Sequence, residues 1–117
     1  MDVTLKNPDI VEFEEKDPIL NIESILEAGY LYAGPLDRTH YLVSPIYGKL
    51  TGLAPISCYV GTHDLLVADC RKLHKMAKEL GIDFNYYEYE KICHVGMLYP
   101  TPEGDIMRKE IIKDLGN

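Results

Sequence analysis

A strand, a helix and a second strand follow one another between residues 55 and 90, and this run limits the folds open to the chain more than any other feature. Ile56 to Val60 is a short apolar run held between Pro55 and Gly61. Its length and its boundaries read as a buried strand. Leu66, Cys70, Leu73, Ala77 and Leu80 then recur at alternating steps of four and three, one face of a helix that Gly81 ends. Phe84 to Glu90 is rich in Phe and Tyr, a composition suited to a strand. A strand, a crossover helix and a second strand make a unit whose strands pair in parallel, so the expected fold class is α/β.

The flanking segments add helices. Asn21 can cap a helix by accepting from a free amide of its first turn. Ile22, Ile25, Leu26, Gly29 and Tyr30 then form one apolar stripe, which Gly34 and Pro35 bring to an end. Thr101-Pro102-Glu103 opens a last helix with a cap and a proline at its first position, and Met107, Ile111 and Leu115 mark its expected buried face. Residues 1 to 20 have no clear periodicity. Asn7-Pro8 and Asp17-Pro18 read as turns, and Glu12, Glu14, Glu15 and Lys16 as a solvated surface.

With 117 residues the chain is expected to form one domain, and 46% hydrophobic with 26% charged residues is an ordinary globular balance. A formal charge of −7 argues against nucleic-acid binding, which needs clustered Lys and Arg. No apolar run approaches the roughly 20 residues of a membrane span, and Met1-Asp-Val-Thr-Leu-Lys has no apolar leader core. Cys58, Cys70 and Cys93 show no paired spacing and read as free thiols. The expected setting is the cytoplasm.

Reactive groups of a parallel α/β sheet gather in the loops at the carboxyl ends of its strands. Two such loops are present, Gly61-Thr62-His63-Asp64 and Lys91-Ile92-Cys93-His94-Val95-Gly96. Parallel strands send both to the same edge, so Asp64 and His94 can meet although thirty positions separate them. The residue types leave two readings open. Asp64 can cap the following helix while His94 stands exposed in its loop. Alternatively, the carboxylate orients the imidazole and stabilises its protonated form, the acid and base of a nucleophile relay. Cys93 is a poor nucleophile candidate beside His94, since neighbouring side chains point apart and a thiol needs a depressed pKa. His63, Asp64, Cys93 and His94 match no metal-ligand spacing, and neither a metal nor another cofactor is expected. His40 reads as a loop residue and His74 as a helix-surface residue.

The local wording resembles the hormone-sensitive-lipase branch of the α/β hydrolases, the acetyl-esterase-like enzymes. It does so in Asp17-Pro18-Ile19-Leu20, Tyr32-Ala33-Gly34, Tyr41-Leu42-Val43-Ser44-Pro45-Ile46-Tyr47-Gly48 and Gly52-Leu53. Val60-Gly61-Thr62-His63-Asp64, the helix carrying Asp69, Arg71 and Leu73, and His94-Val95 extend the likeness over nearly the whole chain. The resemblance implies a partial α/β-hydrolase fold: the last two parallel strands with flanking helices, plus a lid-like N-terminal helix. Residues 1–54 would be lid-like helix and loops, and 55–117 strand, helix, strand and helix. It also implies that Asp64 is the triad acid and His94 the triad base of a carboxylic ester hydrolase, in the family's order of Ser, then Asp or Glu, then His.

Three departures stand out. No Gly-x-Ser-x-Gly occurs, because Ser24, Ser44 and Ser57 lie in a helix, a loop and a strand. No His-Gly-Gly oxyanion loop occurs either. Gly96 follows Val95 where the family often has Phe. By resemblance Met1 falls just after the preceding strand of the sheet, so the expectation is a C-terminal fragment of an esterase or lipase, inactive alone. The alternatives are half of a split esterase complemented by another chain and a non-catalytic interaction module. Open strand edges make a homodimer through Phe84–Glu90 the expected assembly.

Overall fold

The computed structural model describes residues 1–116 and has α1 (Val11–Glu14), α2 (Ile22–Ala33), β1 (Ile56–Gly61), α3 (Val67–Glu79), β2 (Phe84–Tyr89) and α4 (Pro102–Leu115). Short 3-10 turns lie at Pro8–Ile10, Pro45–Tyr47 and Gly96–Leu98. β1 and β2 pair in parallel, from Ile56 opposite Phe84 to Gly61 opposite Tyr89. The strands sit within one residue of the sequence reading: β1 takes in Gly61, and β2 stops before Glu90. Asn21 accepts from the Ser24 amide at 2.8 Å and Thr101 from the Gly104 amide at 3.1 Å, so both predicted caps form.

Side chains alternate across a pleated strand, and that alternation assigns the two faces of the sheet. Val60 joins Leu65, Val67 and Ala68 in the core on the α3 side, with Cys70 and Tyr86 packed against it. On the same side His74 stacks on Tyr86 and Phe84, and Arg71 pairs with Glu88. Ser57, Tyr59, Tyr87 and Tyr89 face α4. Asp114 accepts from Tyr59 at 2.5 Å and from Tyr87 at 3.2 Å, and Glu110 accepts from Tyr89. Burial and the bond to Asp114 push the Tyr59 phenol up to about 12, so it stays a donor throughout the neutral range.

Several side chains stand elsewhere than their spacing suggests. Leu115 is 83% exposed, because α4 turns Asp114 toward the tyrosines and leaves the next residue outside. Met107 is buried, as expected, and Ile111 half-buried. Tyr30 is exposed beneath the Arg38 guanidinium, and the buried line of α2 runs instead through Ile25, Gly29 and Ala33. Leu80 caps α3 and is half exposed, whereas His74 is half-buried under the aromatic stack rather than free on the surface.

The first twenty residues are not simply a wet surface. Ile10 and Phe13 are buried and join Ile25, Val60, Leu65, Val67 and Ala68 in one core. Glu12, Glu15 and Lys16 remain exposed, while Glu14 accepts from the Ile22 amide at 2.8 Å. Asp2, 1% exposed, ties the N-terminus down. It accepts from the Thr4 amide and hydroxyl, at 2.8 and 2.6 Å, and from the Tyr47 hydroxyl at 2.5 Å.

Burial alone would raise the Asp2 carboxyl, but the hydrogen bonds from Thr4 and Tyr47 outweigh it and hold it below the usual carboxylate range. A folded value below the unfolded one means stabilisation that is complete above about pH 4 and is lost as pH falls through the folded value. Thermal midpoints followed from neutral pH into acid should therefore fall below about pH 4, and less steeply in Asp2→Asn, which starts lower at neutral pH. Parallel acid limbs in the two proteins would exclude Asp2 as a contributor.

Candidate active site

The two loops leave the carboxyl ends of β1 and β2 side by side, and the strand pairing continues into them. The Thr62 amide donates to the Tyr89 carbonyl at 2.9 Å, the His63 amide to the Ile92 carbonyl at 3.0 Å, and the Lys91 amide to the Thr62 hydroxyl at 2.8 Å. This closeness depends on Gly61. A Cβ there would lie 1.9 Å from the Ile92 carbonyl oxygen, far inside contact distance. A second glycine completes the packing, since a Cβ on Gly96 would lie 2.1 Å from Ile92 Cγ2. The family's frequent Phe is absent at that place, and the Ile92 side chain occupies the space against Gly96.

Within this frame His94 Nδ1 lies 2.9 Å from Asp64 Oδ2. Asp64 is buried and the His94 side chain is about one-third exposed. The other oxygen of Asp64 accepts from the Leu66 amide at 2.8 Å, at the start of α3. One oxygen of Asp64 thus holds the Leu66 amide just ahead of α3, and the other meets the partly buried His94 ring. With Nδ1 engaged, Nε2 is the ring nitrogen left to exchange a proton.

Two supports escaped the sequence reading. Asp17 accepts from the Leu65 amide at 2.7 Å through one oxygen and from the Ile19 and Leu20 amides, at 2.8 and 2.9 Å, through the other. A turn dipeptide was legible there, but its partner forty-eight positions away was not. Val95 holds φ at 51°, a left-handed conformation that is strained for a β-branched residue, directly after His94. Such strain persists only where surrounding packing imposes it, and it fixes how His94 leaves the loop.

His94 also borders an apolar cleft of about 710 Å³, walled by Leu20, Ile25, Ala28, Val43 and Leu66 among others. Ser24 lies at the rim of that cleft, Ser57 faces Asp114 with Tyr59, and Ser44 is wholly buried. The Ser44 hydroxyl accepts from the Val3 amide and donates to the Arg38 carbonyl. Among the described residues no cluster of three or more His, Cys, Asp or Glu is arranged to hold a metal ion, and no helix is long and apolar enough to cross a membrane.

A parallel sheet with helices on both faces, and an Asp–His contact between adjacent loops at its carboxyl edge, is an α/β arrangement of the kind that gathers functional groups at that edge. Residues 1–98 match the family described as the alpha/beta hydrolase fold. The chain belongs to that family, in its hormone-sensitive-lipase-like branch. An acetyl-hydrolase of Streptomyces hygroscopicus is 31% identical over 91 residues, which cover 76% of this chain and 30% of that protein. The crystal structure of a Staphylococcus aureus protein assigned as an esterase superposes with a TM-score of 0.93 at 27% identity, covering 99% of this chain and 40% of its own. EstE7, a hormone-sensitive-lipase homologue from a metagenome library, gives 0.89 at 28% identity, covering 95% and 39%. The chain thus spans well under half the length of these relatives.

Gly61→Ala should force the two loops apart, because a backbone carbonyl cannot yield as a flexible side-chain end can. A loss of about 2–3 kcal/mol in denaturant unfolding is expected, the upper range for overpacking. Amide resonances of residues 92 to 96 should shift together with those of 62 to 66. A variant as stable as the parent, with those resonances unmoved, would contradict the close approach.

Proposed function

We propose that this chain carries the acid and base of a serine-hydrolase triad, Asp64 and His94, and acts in carboxylic ester hydrolysis together with a nucleophile supplied by sequence outside these 117 residues. The observation that carries the reading is the 2.9 Å contact from His94 Nδ1 to Asp64 Oδ2, with the second Asp64 oxygen held by the Leu66 amide. That arrangement fixes one tautomer. Nδ1 keeps its proton toward the carboxylate, and Nε2 takes the proton of an attacking hydroxyl and later gives it to the leaving alcohol. The apolar cleft beside His94 suits an uncharged ester, and the acetyl-hydrolase relative favours a small acyl group.

The chain alone is expected to leave short p-nitrophenyl esters intact, since loss of a triad serine costs roughly 10⁶ in turnover. The test is a chimera in which this chain replaces the matching part of the Staphylococcus aureus relative, assayed with p-nitrophenyl acetate. Hydrolysis should appear, fall by roughly 10⁴ in Asp64→Asn, and vanish in His94→Ala. A folded, active chimera indifferent to both substitutions would sink the assignment.

A second reading concerns assembly. The sheet has only two strands among the described residues, so β1 and β2 each present an outer edge of unpaired amides and carbonyls. The edge of β1 suits the nucleophile-bearing portion, supplied by a complementing N-terminal half. The edge of β2, with Glu90 beyond it, suits a second copy related by a two-fold axis, an interaction role that would survive without catalysis. A cytoplasmic setting is consistent with three free thiols. Light scattering at micromolar concentration should report twice the 13.3 kDa chain mass. Glu88→Pro, which removes an amide that points to the outer edge, should return it to the monomer, and a parent that is already monomeric would remove the homodimer.

A further inference from the structure

We infer that Cys58 and Cys70 form a dithiol that closes to a disulfide, tying the strand before the Asp64 loop to the helix after it. The two cysteines lie twelve positions apart, with Asp64 midway between them. Cys58 shares the α3-facing side of β1 with Ile56 and Val60, opposite Tyr86 in the register. Cys70 lies on the side of α3 that packs against the core containing Val60 and Leu65. The strand alternation and the helix period therefore bring both thiols to the one interface between β1 and α3. Both are free and half-buried, and Cys93 lies apart from them in the loop after β2.

The pairing makes the two sulfurs unequal. Cys70 across the interface is the largest influence on the Cys58 thiol and holds it below the usual range, against the opposing effect of burial. The same pairing, followed by burial, raises Cys70. Cys58 is thus the attacking sulfur and Cys70 the resolving one. The oxidant is a low-molecular-weight disulfide such as oxidised glutathione. The Cys58 thiolate attacks one glutathione sulfur, the glutathione S–S bond breaks, and the departing glutathione thiolate takes up the proton Cys58 gave up. The Cys70 sulfur then attacks the Cys58 sulfur of the mixed disulfide and expels the second glutathione, which leaves with the Cys70 proton. Two protein thiols are oxidised and one glutathione disulfide is reduced to two thiols.

The closed ring would enclose the whole Asp64 loop, including Gly61 and the Leu65 and Leu66 amides that the two carboxylates hold. This inference stands whether or not Asp64 acts in catalysis.

The reduced chain is equilibrated across glutathione buffers of rising oxidation, quenched with an alkylating agent, digested with trypsin and weighed. Cys58 and Cys70 share the peptide 50–71, and Cys93 lies in 92–108. Under oxidising buffer the first peptide should lose both alkyl groups and weigh two hydrogen atoms less than its fully reduced form, while Cys93 stays alkylated. The thermal midpoint should rise by on the order of 10 °C and return on reduction. Cys70→Ser should trap glutathione on Cys58, and Cys58→Ser should leave Cys70 largely unmodified. A doubly alkylated 50–71 peptide at every buffer ratio, or a disulfide that includes Cys93, would overturn the inference. Glutathione trapped equally well on Cys70 in Cys58→Ser would overturn the order of attack.

Discussion

The parallel register of β1 and β2, prolonged beyond the strands by the His63 amide reaching the Ile92 carbonyl over Gly61, is the constraint on which the rest depends. Because side chains alternate with a period of two, a slip of one residue would send every side chain of one strand to the wrong face. Tyr59 and Tyr87 would lose Asp114, and Cys58 would leave the α3 interface. The loops would shift by the same step, and Asp64 and His94 would no longer meet. One pairing therefore fixes both layers and the site.

What the sequence made legible was local. Strand lengths, the periodicity of α3, and the caps at Asn21 and Thr101 each depend on residues a few positions apart, and each stands within a residue of where the spacing placed it, with Leu80 alone of the α3 stripe half exposed. The meeting of Asp64 and His94 was also legible, since it needs only the rule that parallel strands send their following loops to one edge. Features that depend on distant partners were not. Four residues of α1 are too few for a helical period to show, and the burial of Ile10 and Phe13 rests on α2 and α3. The rotation of α4 is set by Asp114 meeting tyrosines on two strands, which outweighs the apolar spacing of Met107, Ile111 and Leu115.

Buried carboxylates account for much of what periodicity could not foresee. Asp2, Asp17, Asp64 and Asp69 are all buried in a chain of net charge −7, an arrangement that would be costly for bare charges. Each instead accepts hydrogen bonds from backbone amides. Asp69 takes the Asp2 amide at 2.9 Å and the Asn7 side chain at 3.2 Å, so the first turn of α3 anchors the N-terminus. Among the described residues no buried side-chain nitrogen or oxygen lacks a partner.

The same device links the N-terminal segment to the site. The first amides of a helix have no partner within it. Ahead of α3, the Leu65 amide goes to Asp17 and the Leu66 amide to Asp64. Asp17 stands just past α1, whose Phe13 lies in the core with Val67 and Ala68. Residues 1 to 20 therefore brace the acid loop from one side, and the Ile92 turn braces it from the other. Removing the N-terminal segment would expose core and leave the Leu65 amide unpaired next to Asp64, so the fold of this segment and the orientation of the acid are one structural problem.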